Sequence, residues 1–99
     1  MPCRQMSEIV YCQSNLKYVN VVTDSGKFFR KLLTLSKFSE MLPDYFIRIH
    51  QSFLVNKHKV RGINHSSNGW EVITNDGLQL PVSRTYQKSV SACIRNIPE

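Results

Sequence analysis

The sequence predicts a small, mainly β domain with two short helices. Runs of β-branched and aromatic residues recur along the chain and are separated by turn residues, a pattern typical of hairpin-connected strands. Only two stretches, residues 34–42 and 83–97, carry apolar residues at helical spacing. With 99 residues and 41% apolar content, the chain should form one domain, residues 1–99, with a modest core.

The first part of the chain predicts three strands. Residues 7–13 and 18–23 are rich in β-formers, and residues 14–17 between them should form a loop. Residues 24–26, Asp-Ser-Gly, have turn chemistry, since glycine tolerates positive φ. Residues 27–31 should then return as the hairpin partner of the second strand.

Residues 34–42 change to helical spacing and predict the first helix. Thr34 is a candidate N-cap, because its hydroxyl can accept a free N–H of the first turn. Pro43 disfavours helical backbone in the residue before it, so the helix should end at Leu42. The apolar face consists of Leu35, Phe38 and Leu42, with Met41 beside them.

The middle of the chain predicts more strands. Residues 46–50 form one, residues 53–56 form a short apolar segment, and a polar turn lies between them. Residues 60–65 and 70–74 form two more, with residues 66–69 as their turn.

A further hairpin should follow. Asp76-Gly77 favours a primed turn with positive φ angles, leading into a strand over residues 78–82. Pro81 lacks an N–H group, so that strand should lie at a sheet edge or end there.

The last segment, residues 83–97, predicts the second helix, with Ser83 as N-cap. Apolar residues at helical spacing should place one face on the sheet, and the opposite face should carry a basic stripe. The apolar face consists of Tyr86, Val90, Cys93 and Ile97. The basic stripe consists of Arg84, Lys88 and Arg95.

The charge balance favours a polyanionic partner. The net charge is +6, and residues 45–70 contain no acid but hold four Lys or Arg and three histidines. No apolar run approaches the roughly 20 residues of a membrane span, and the N-terminus lacks the apolar core of a signal peptide. We therefore expect a cytoplasmic location and no membrane partner.

Catalytic motifs are absent from the sequence. There is no nucleophile elbow and no glycine-rich phosphate loop, and the three histidines match no metal-ligand spacing. Cys3, Cys12 and Cys93 are far apart, which predicts reduced, unpaired thiols. We expect no enzymatic activity, no metal and no cofactor.

Two polar residues are candidates for base recognition. Arg84 falls in the first helical turn, where the helix dipole disfavours a cation unless an anion also binds there. Gln51 lies in the polar turn, and its amide can pair bidentately with adenine, as a guanidinium can with guanine. The alternatives are a solvated arginine and an ordinary surface amide.

Two motifs together resemble a known family. The run FIRIHQSFLVN, a hairpin, and then LPVSRTYQKSV are similar to the LytTR DNA-binding domain, the output half of many bacterial two-component response regulators. The resemblance covers about residues 7–95. It implies a fold of small packed β-sheets with short helices, and DNA recognition by loops without a recognition helix.

The resemblance also implies site residues. One base-reading side chain comes from the loop after the first strand, here Asn15 or Lys17; the others are Gln51, directly after the core histidine, and Arg84. Family members often bind direct repeats in promoters, inserting into successive major grooves and bending the DNA. We therefore expect double-stranded DNA as the partner and a homodimer on it.

Other basic residues are candidates for phosphate contacts, which fix register without reading sequence. His50 has a competing interpretation as a hydrogen-bonded residue that shapes the loop, and Asn56 is expected to be structural. A module that binds nucleic acid or an anionic surface without sequence specificity is the alternative function. The phosphate-contact candidates are Arg48, His50, Lys57, Lys59 and Lys88.

The sequence departs from the family pattern in two places. Gln51 stands where the family commonly has a basic residue, which affects base preference at that contact. Only six residues precede Ser7, where family members carry more strand and a receiver or other sensor domain. We expect a domain cut from a longer regulator or, alternatively, a short stand-alone regulator, and no receiver-type phosphoryl acceptor within this chain.

Overall fold

The computed structural model describes residues 8–26 and 28–94, with only the backbone described at Phe28 and Phe29. The predictions above also include residues that lie outside the described part of the chain: Cys3, Ser7, Lys27, Arg95 and Ile97. The strands are β1 (Ile9–Asn15), β2 (Tyr18–Thr23), β3 (Phe28–Lys31), β4 (Phe46–His50), β5 (Phe53–Asn56), β6 (Val60–Ser66), β7 (Gly69–Thr74) and β8 (Gln79–Val82). The helices are α1 (Leu35–Met41) and α2 (Gln87–Cys93), and 3₁₀ turns cover Lys57–Lys59 and Arg84–Tyr86.

The strands form two antiparallel sheets. The first sheet has the order β3-β2-β1-β5-β4, and the second has the order β6-β7-β8. Most neighbours are joined by short hairpins, but β1 pairs with β5 across about forty residues, with Cys12 opposite Leu54. This long-range pairing places the polar turn between β4 and β5 beside the β1–β2 hairpin. The predicted mainly β fold with two short helices is confirmed.

The part of the first sheet formed by β1, β5 and β4 packs against core clusters on both faces. Alternate residues of a strand point to opposite faces, so Leu54 and Val55 of β5 enter different core clusters. The first cluster lies under α1 and includes Leu35 and Phe38. The second lies under the second sheet and α2 and includes Val90. Each fully buried apolar side chain contributes roughly 1.5–3 kcal/mol, so these two layers fix the positions of the loops.

Helix α1 matches its prediction except at one residue. The Thr34 hydroxyl accepts the Lys37 N–H at 3.1 Å, and the chain becomes extended at Leu42, directly before Pro43. The predicted N-cap and helix end are therefore confirmed. Met41 was expected beside the apolar face, but its side chain is 61% exposed. That expectation is wrong because, at about 100° per residue, Met41 lies to one side of the face formed by Leu35, Phe38 and Leu42, which packs on the first cluster.

Helix α2 is shorter than predicted and buries a different face. A 3₁₀ turn precedes it, and Ser83 is the N-cap of that turn, without a side-chain capping bond. The N-cap residue of α2 itself is Tyr86, so the predicted N-cap of this helix is wrong. Cys93 is exposed and Ile94 is buried, so Cys93 was wrongly assigned to the core. At about 100° per residue, Ile94 lies nearer than Cys93 to the direction of the buried Val90. The buried face therefore runs from Tyr86 through Val90 to Ile94.

Two turns differ from their predictions. Asn15 pairs with Tyr18, so β1 continues to Asn15 and the predicted four-residue loop is a turn of Leu16 and Lys17 alone. Cross-strand pairing here overrides the turn preference of serine and asparagine. In the β7–β8 turn only Gly77 has positive φ, so the turn is not of the primed type.

The edge position predicted for Pro81 is confirmed, since β8 is the outer strand of the second sheet. Cys12 is fully buried in the first cluster, and burial raises the pKa of its thiol to about 12. The thiol therefore stays protonated and inert near neutral pH.

Candidate nucleic-acid interface

Three loops meet at one end of the first sheet. The Ser14 N–H donates to the Ser52 carbonyl at 2.9 Å, which joins the β1–β2 hairpin to the β4–β5 turn. The Ser83 N–H donates to the Ile49 carbonyl at 2.9 Å, which joins the start of the last helical segment to β4. Residues predicted to read bases, far apart in sequence, are thus held together by backbone bonds. We call this region the basic end, defined by residues 15–17, 51–52, 83–84 and Lys88.

Arg48 holds the turn that presents Gln51. Its Nε donates to the His50 carbonyl at 2.9 Å, and its Nη2 donates to the Gln51 carbonyl at 2.7 Å. Its Nη1 reaches the Ser36 hydroxyl at 3.5 Å, so the guanidinium also touches α1. A planar fork with several donors suits this bridging of two carbonyls. The exposed side chain of Gln51 therefore extends from a turn with a fixed backbone.

His50 also shapes this turn. Its Nδ1 accepts the Ser52 N–H at 3.0 Å, and its ring meets Phe53 edge-on at 5.7 Å between centroids. Because Nδ1 is an acceptor, the neutral ring carries its proton on Nε2. The loop-shaping interpretation of His50 accounts for both contacts. The Nε2–H group is left to donate elsewhere.

Arg84 opens the 3₁₀ turn that leads into α2, as the sequence predicts for a cation in the first helical turn. Its side chain is exposed and has no acidic partner among the described residues. The hydroxyl of Ser83, beside it, is buried and has no hydrogen-bond partner within the part of the chain that the structure describes. The Tyr86 ring lies 6.0 Å from the Arg48 guanidinium carbon, so this segment also packs against the Gln51 turn.

The hairpin tip contributes the third set of predicted residues. Asn15, Leu16 and Lys17 are all exposed, and Leu16 has a φ of 59°, in the left-handed region. Leucine is rarely found there, and the strain is of order 1–2 kcal/mol. Sequence reasoning missed Leu16 because a two-residue turn without glycine or an Asn-Gly pair gives no hairpin signal.

Four acids lie at the opposite end of the first sheet, where β4 begins opposite Asn56. The Asp24 N–H donates to the Glu8 carbonyl at 2.8 Å, and a small pocket is lined by both Asp24 and Asp76. In contrast, residues 14–18, 50–53 and 83–89 contain no acid. We call the opposite region the acidic end, defined by the four acids and by Lys57–Lys59. The four acids are Glu8, Asp24, Asp44 and Asp76.

The structure does not bring Lys57 and Lys59 to the basic end. They follow β5, whose four residues span roughly 13 Å at about 3.3 Å each, on the side away from Gln51. The Lys59 ammonium forms an ion pair with Asp24 at 2.6 Å. Lys88 lies four residues after Arg84, one helical turn away, and has no such partner among the described residues.

Asn56 is structural, as expected. It is fully buried, its amide donates to the Ile9 carbonyl at 2.9 Å, and its carbonyl accepts the His58 N–H at 2.9 Å. It therefore ties the end of β5 to the start of β1. Trp70 is partly buried and packs against the second cluster.

Nothing in residues 8–26 and 28–94 groups three or more metal-ligating side chains at one place. None of the helices described is long and apolar enough to cross a membrane. The basic end presents exposed amide and cationic side chains on turns whose backbone is fixed by hydrogen bonds.

Comparison with known proteins gives the class of this domain. The family model described as the LytTr DNA-binding domain matches residues 4–95. A solved structure described as the LytTr DNA-binding domain of a methyl-accepting/DNA response regulator from Bacillus cereus is similar, with a TM-score of 0.81 and 25% identity. The match covers 90% of this chain and 83% of that one. The chain belongs to the LytTr DNA-binding domain family, which confirms the resemblance read from the sequence.

Two of the relatives are regulatory proteins that are longer than this chain. The transcriptional regulatory protein BtsR of Salmonella typhi is 35% identical over 91 residues, which are 91% of this chain and 37% of that protein. The sensory transduction protein LytT of Bacillus subtilis is 36% identical over 85 residues, 84% of this chain and 35% of that protein. The chain thus spans about a third of the length of these curated relatives.

Proposed function

We propose that this domain binds double-stranded DNA sequence-specifically, as the output domain of a bacterial transcription regulator that acts in the cytoplasm. The observation that carries the proposal is the separation of charge along the first sheet. The loops that hold Gln51 and Arg84 contain no acid, whereas four carboxylates lie at the other end. A DNA duplex is attracted to the first region and repelled by the second.

The exposed polar side chains of the basic end supply base recognition in this proposal. Gln51 and Arg84 contact base edges in the major groove, and Lys17 or Asn15 is the third reader. A bidentate amide favours adenine and a bidentate guanidinium favours guanine. Arg48 and His50 hold the turn for Gln51, which supports a positioning role in addition to the phosphate contacts first assigned to them.

Phosphate contacts fall to the cations around these readers. Lys88 lies one turn from Arg84 and is the best supported of them. His50, whose Nε2–H has no acceptor among the described residues, and Arg48 follow. Contacts by Lys57 and Lys59 would require DNA to reach the acidic end. The proposed arrangement on promoters is a pair of copies on direct repeats, each inserting its loops into one of two successive major grooves.

The regulator as a whole is also part of the proposal. Relatives about two and a half times as long as this chain support a further domain, a receiver or other sensor, in the complete protein. That domain would receive the signal, because a receiver-type phosphoryl site is not expected within this chain.

Selection of bound duplexes from a random pool tests the proposal. We then expect the selected two-repeat duplex to bind roughly a thousandfold more tightly than a scrambled duplex at physiological salt. Single strands and anionic vesicles serve as controls. Equal affinity for scrambled duplex would contradict sequence-specific binding, and tighter binding to vesicles would favour the anionic-surface alternative, for which the exposed Arg84 and Lys88 would be responsible.

A further inference from the structure

The tip of the β1–β2 hairpin carries a leucine, Leu16, whose side chain does not pack against the rest of the described domain. The Leu16 side chain is 96% exposed, so it buries almost no apolar area within the domain. Its backbone has a φ of 59°, a conformation that glycine or asparagine adopts with less strain. A strained and solvated leucine lowers stability, and residues held in such conformations cluster at binding sites.

The position of Leu16 limits what can cover it. Asn15 pairs with Tyr18 below the turn, so the leucine is fixed at the point of the hairpin. The Ser14–Ser52 backbone bond sets this point beside the Gln51 turn. Its neighbour Lys17 is exposed and has no acidic partner among the residues the structure describes. An apolar group beside unpaired cations fits a partner that is anionic overall but has an apolar feature of its own.

Duplex DNA has one such feature in the major groove, the C5-methyl group of thymine. We propose that Leu16 is a specificity-determining residue that packs against the C5-methyl of a thymine next to the base pairs contacted by Gln51 and Arg84. This inference rests on the proposed function, because it requires the basic end to enter the major groove. It adds a thymine preference that the polar readers do not supply.

Replacement of thymine by deoxyuracil tests the contact, because it removes the methyl group and leaves the hydrogen-bonding edge unchanged. Each thymine of the selected duplex is replaced in turn, and the affinity is measured for the wild type and for Leu16→Ala. We expect one position at which the wild type loses about fourfold in affinity, the value for one buried methyl-sized group. The same replacement should have no effect on the affinity of Leu16→Ala.

Met41→Ala is the matched control, since Met41 is also an exposed apolar residue but lies at the end of α1. That variant should respond to deoxyuracil like the wild type. The inference is overturned if no thymine couples to Leu16, or if Leu16→Ala weakens all duplexes equally. Failure of the proposed function is distinguishable, because then no duplex would be selected at all.

A second variant separates the contact from the strain. Leu16→Gly removes the side chain and permits positive φ, so its melting temperature should equal or exceed that of Leu16→Ala. Its response to deoxyuracil should match that of Leu16→Ala. If Leu16→Gly kept the wild-type thymine preference, the backbone of the tip and not the leucine side chain would be responsible, and the inference would be wrong.

Discussion

The two ends of the first sheet have similar numbers of basic residues but differ in what those residues contact. At the acidic end, Lys59 is paired with Asp24, and Asp76 lines the same small pocket. At the basic end, Lys17, Arg84 and Lys88 have no acidic partners among the described residues. A cation that already has a carboxylate partner has less to gain from a phosphate. The location of a DNA interface therefore depends on unpaired cations and not on the count of basic residues.

The ends also differ in what their buried or half-buried polar groups do. Asn56 connects two strands at the acidic end, whereas Arg48 holds the backbone of a turn at the basic end. The first arrangement should matter for folding, and the second for the shape presented to DNA. Substitutions at matched positions can separate these two roles.

The largest expected effect on stability is that of Asn56→Ala. The change leaves the Ile9 carbonyl and the His58 N–H without their buried partner. Each such unpaired group lowers the free energy of unfolding by about 1–3 kcal/mol. Urea unfolding should show a loss of roughly 3 kcal/mol, with unchanged affinity of the folded fraction for the selected duplex. Asn64→Ala, which removes an exposed amide, is the control and should stay near the wild-type value. A selective loss of DNA affinity in folded Asn56→Ala would contradict the division of roles.

A substitution at Arg48 should mainly affect recognition. Arg48→Met removes the donors to the His50 and Gln51 carbonyls, so we expect roughly tenfold weaker binding to the selected duplex. Arg48→Lys should restore little of this, because an ammonium lacks the planar fork. Arg61→Met removes the same charge from a distant strand and is the control.

A double-mutant cycle distinguishes positioning by Arg48 from general loss of charge. Gln51→Ala should cost less affinity in the Arg48→Met background than in the wild type, since the turn is already released. Purely additive losses would show that Arg48 does not position Gln51.

The smallest effects concern single lysines and are read from the salt dependence of binding. Lys88→Ala should lower the magnitude of the slope of log affinity against log salt by about 1, because one phosphate contact is lost. Lys59→Ala should leave the slope nearly unchanged, and the loss of its exposed ion pair should cost at most about 1 kcal/mol of stability. If Lys59→Ala lowered the slope and Lys88→Ala left it unchanged, the phosphate contacts would lie at the acidic end.

Local signals in the sequence predicted much of the fold. The Thr34 cap, the stop at Pro43 and the edge role of Pro81 each depend on one residue and its neighbours, and each is present. Cys93 and Met41 were misassigned because helical spacing alone does not show in which direction the buried face of a short helix is centred. The extent of β1 was missed because pairing with β2 decides it.

Charge was the least predictable property of the site. The acid-free stretch of residues 45–70 suggested that Lys57 and Lys59 belong with Gln51. In the fold, Asp24 and the β7–β8 turn come from distant parts of the sequence and lie beside Lys59. The proximity of Gln51 to the Arg84 segment likewise depends on long-range backbone bonds, so only the motif resemblance indicated it in advance.

The most direct test of the account compares Arg84→Ala with Lys57→Ala in fluorescence anisotropy on the selected duplex and on its single-base variants. Arg84→Ala should lose about tenfold to a hundredfold in affinity, equivalent to roughly 1–3 kcal/mol, and should no longer discriminate at one base pair. Lys57→Ala should retain both affinity and discrimination. If Arg84→Ala keeps the wild-type preference while Lys57→Ala loses it, the basic end is not the surface that reads DNA.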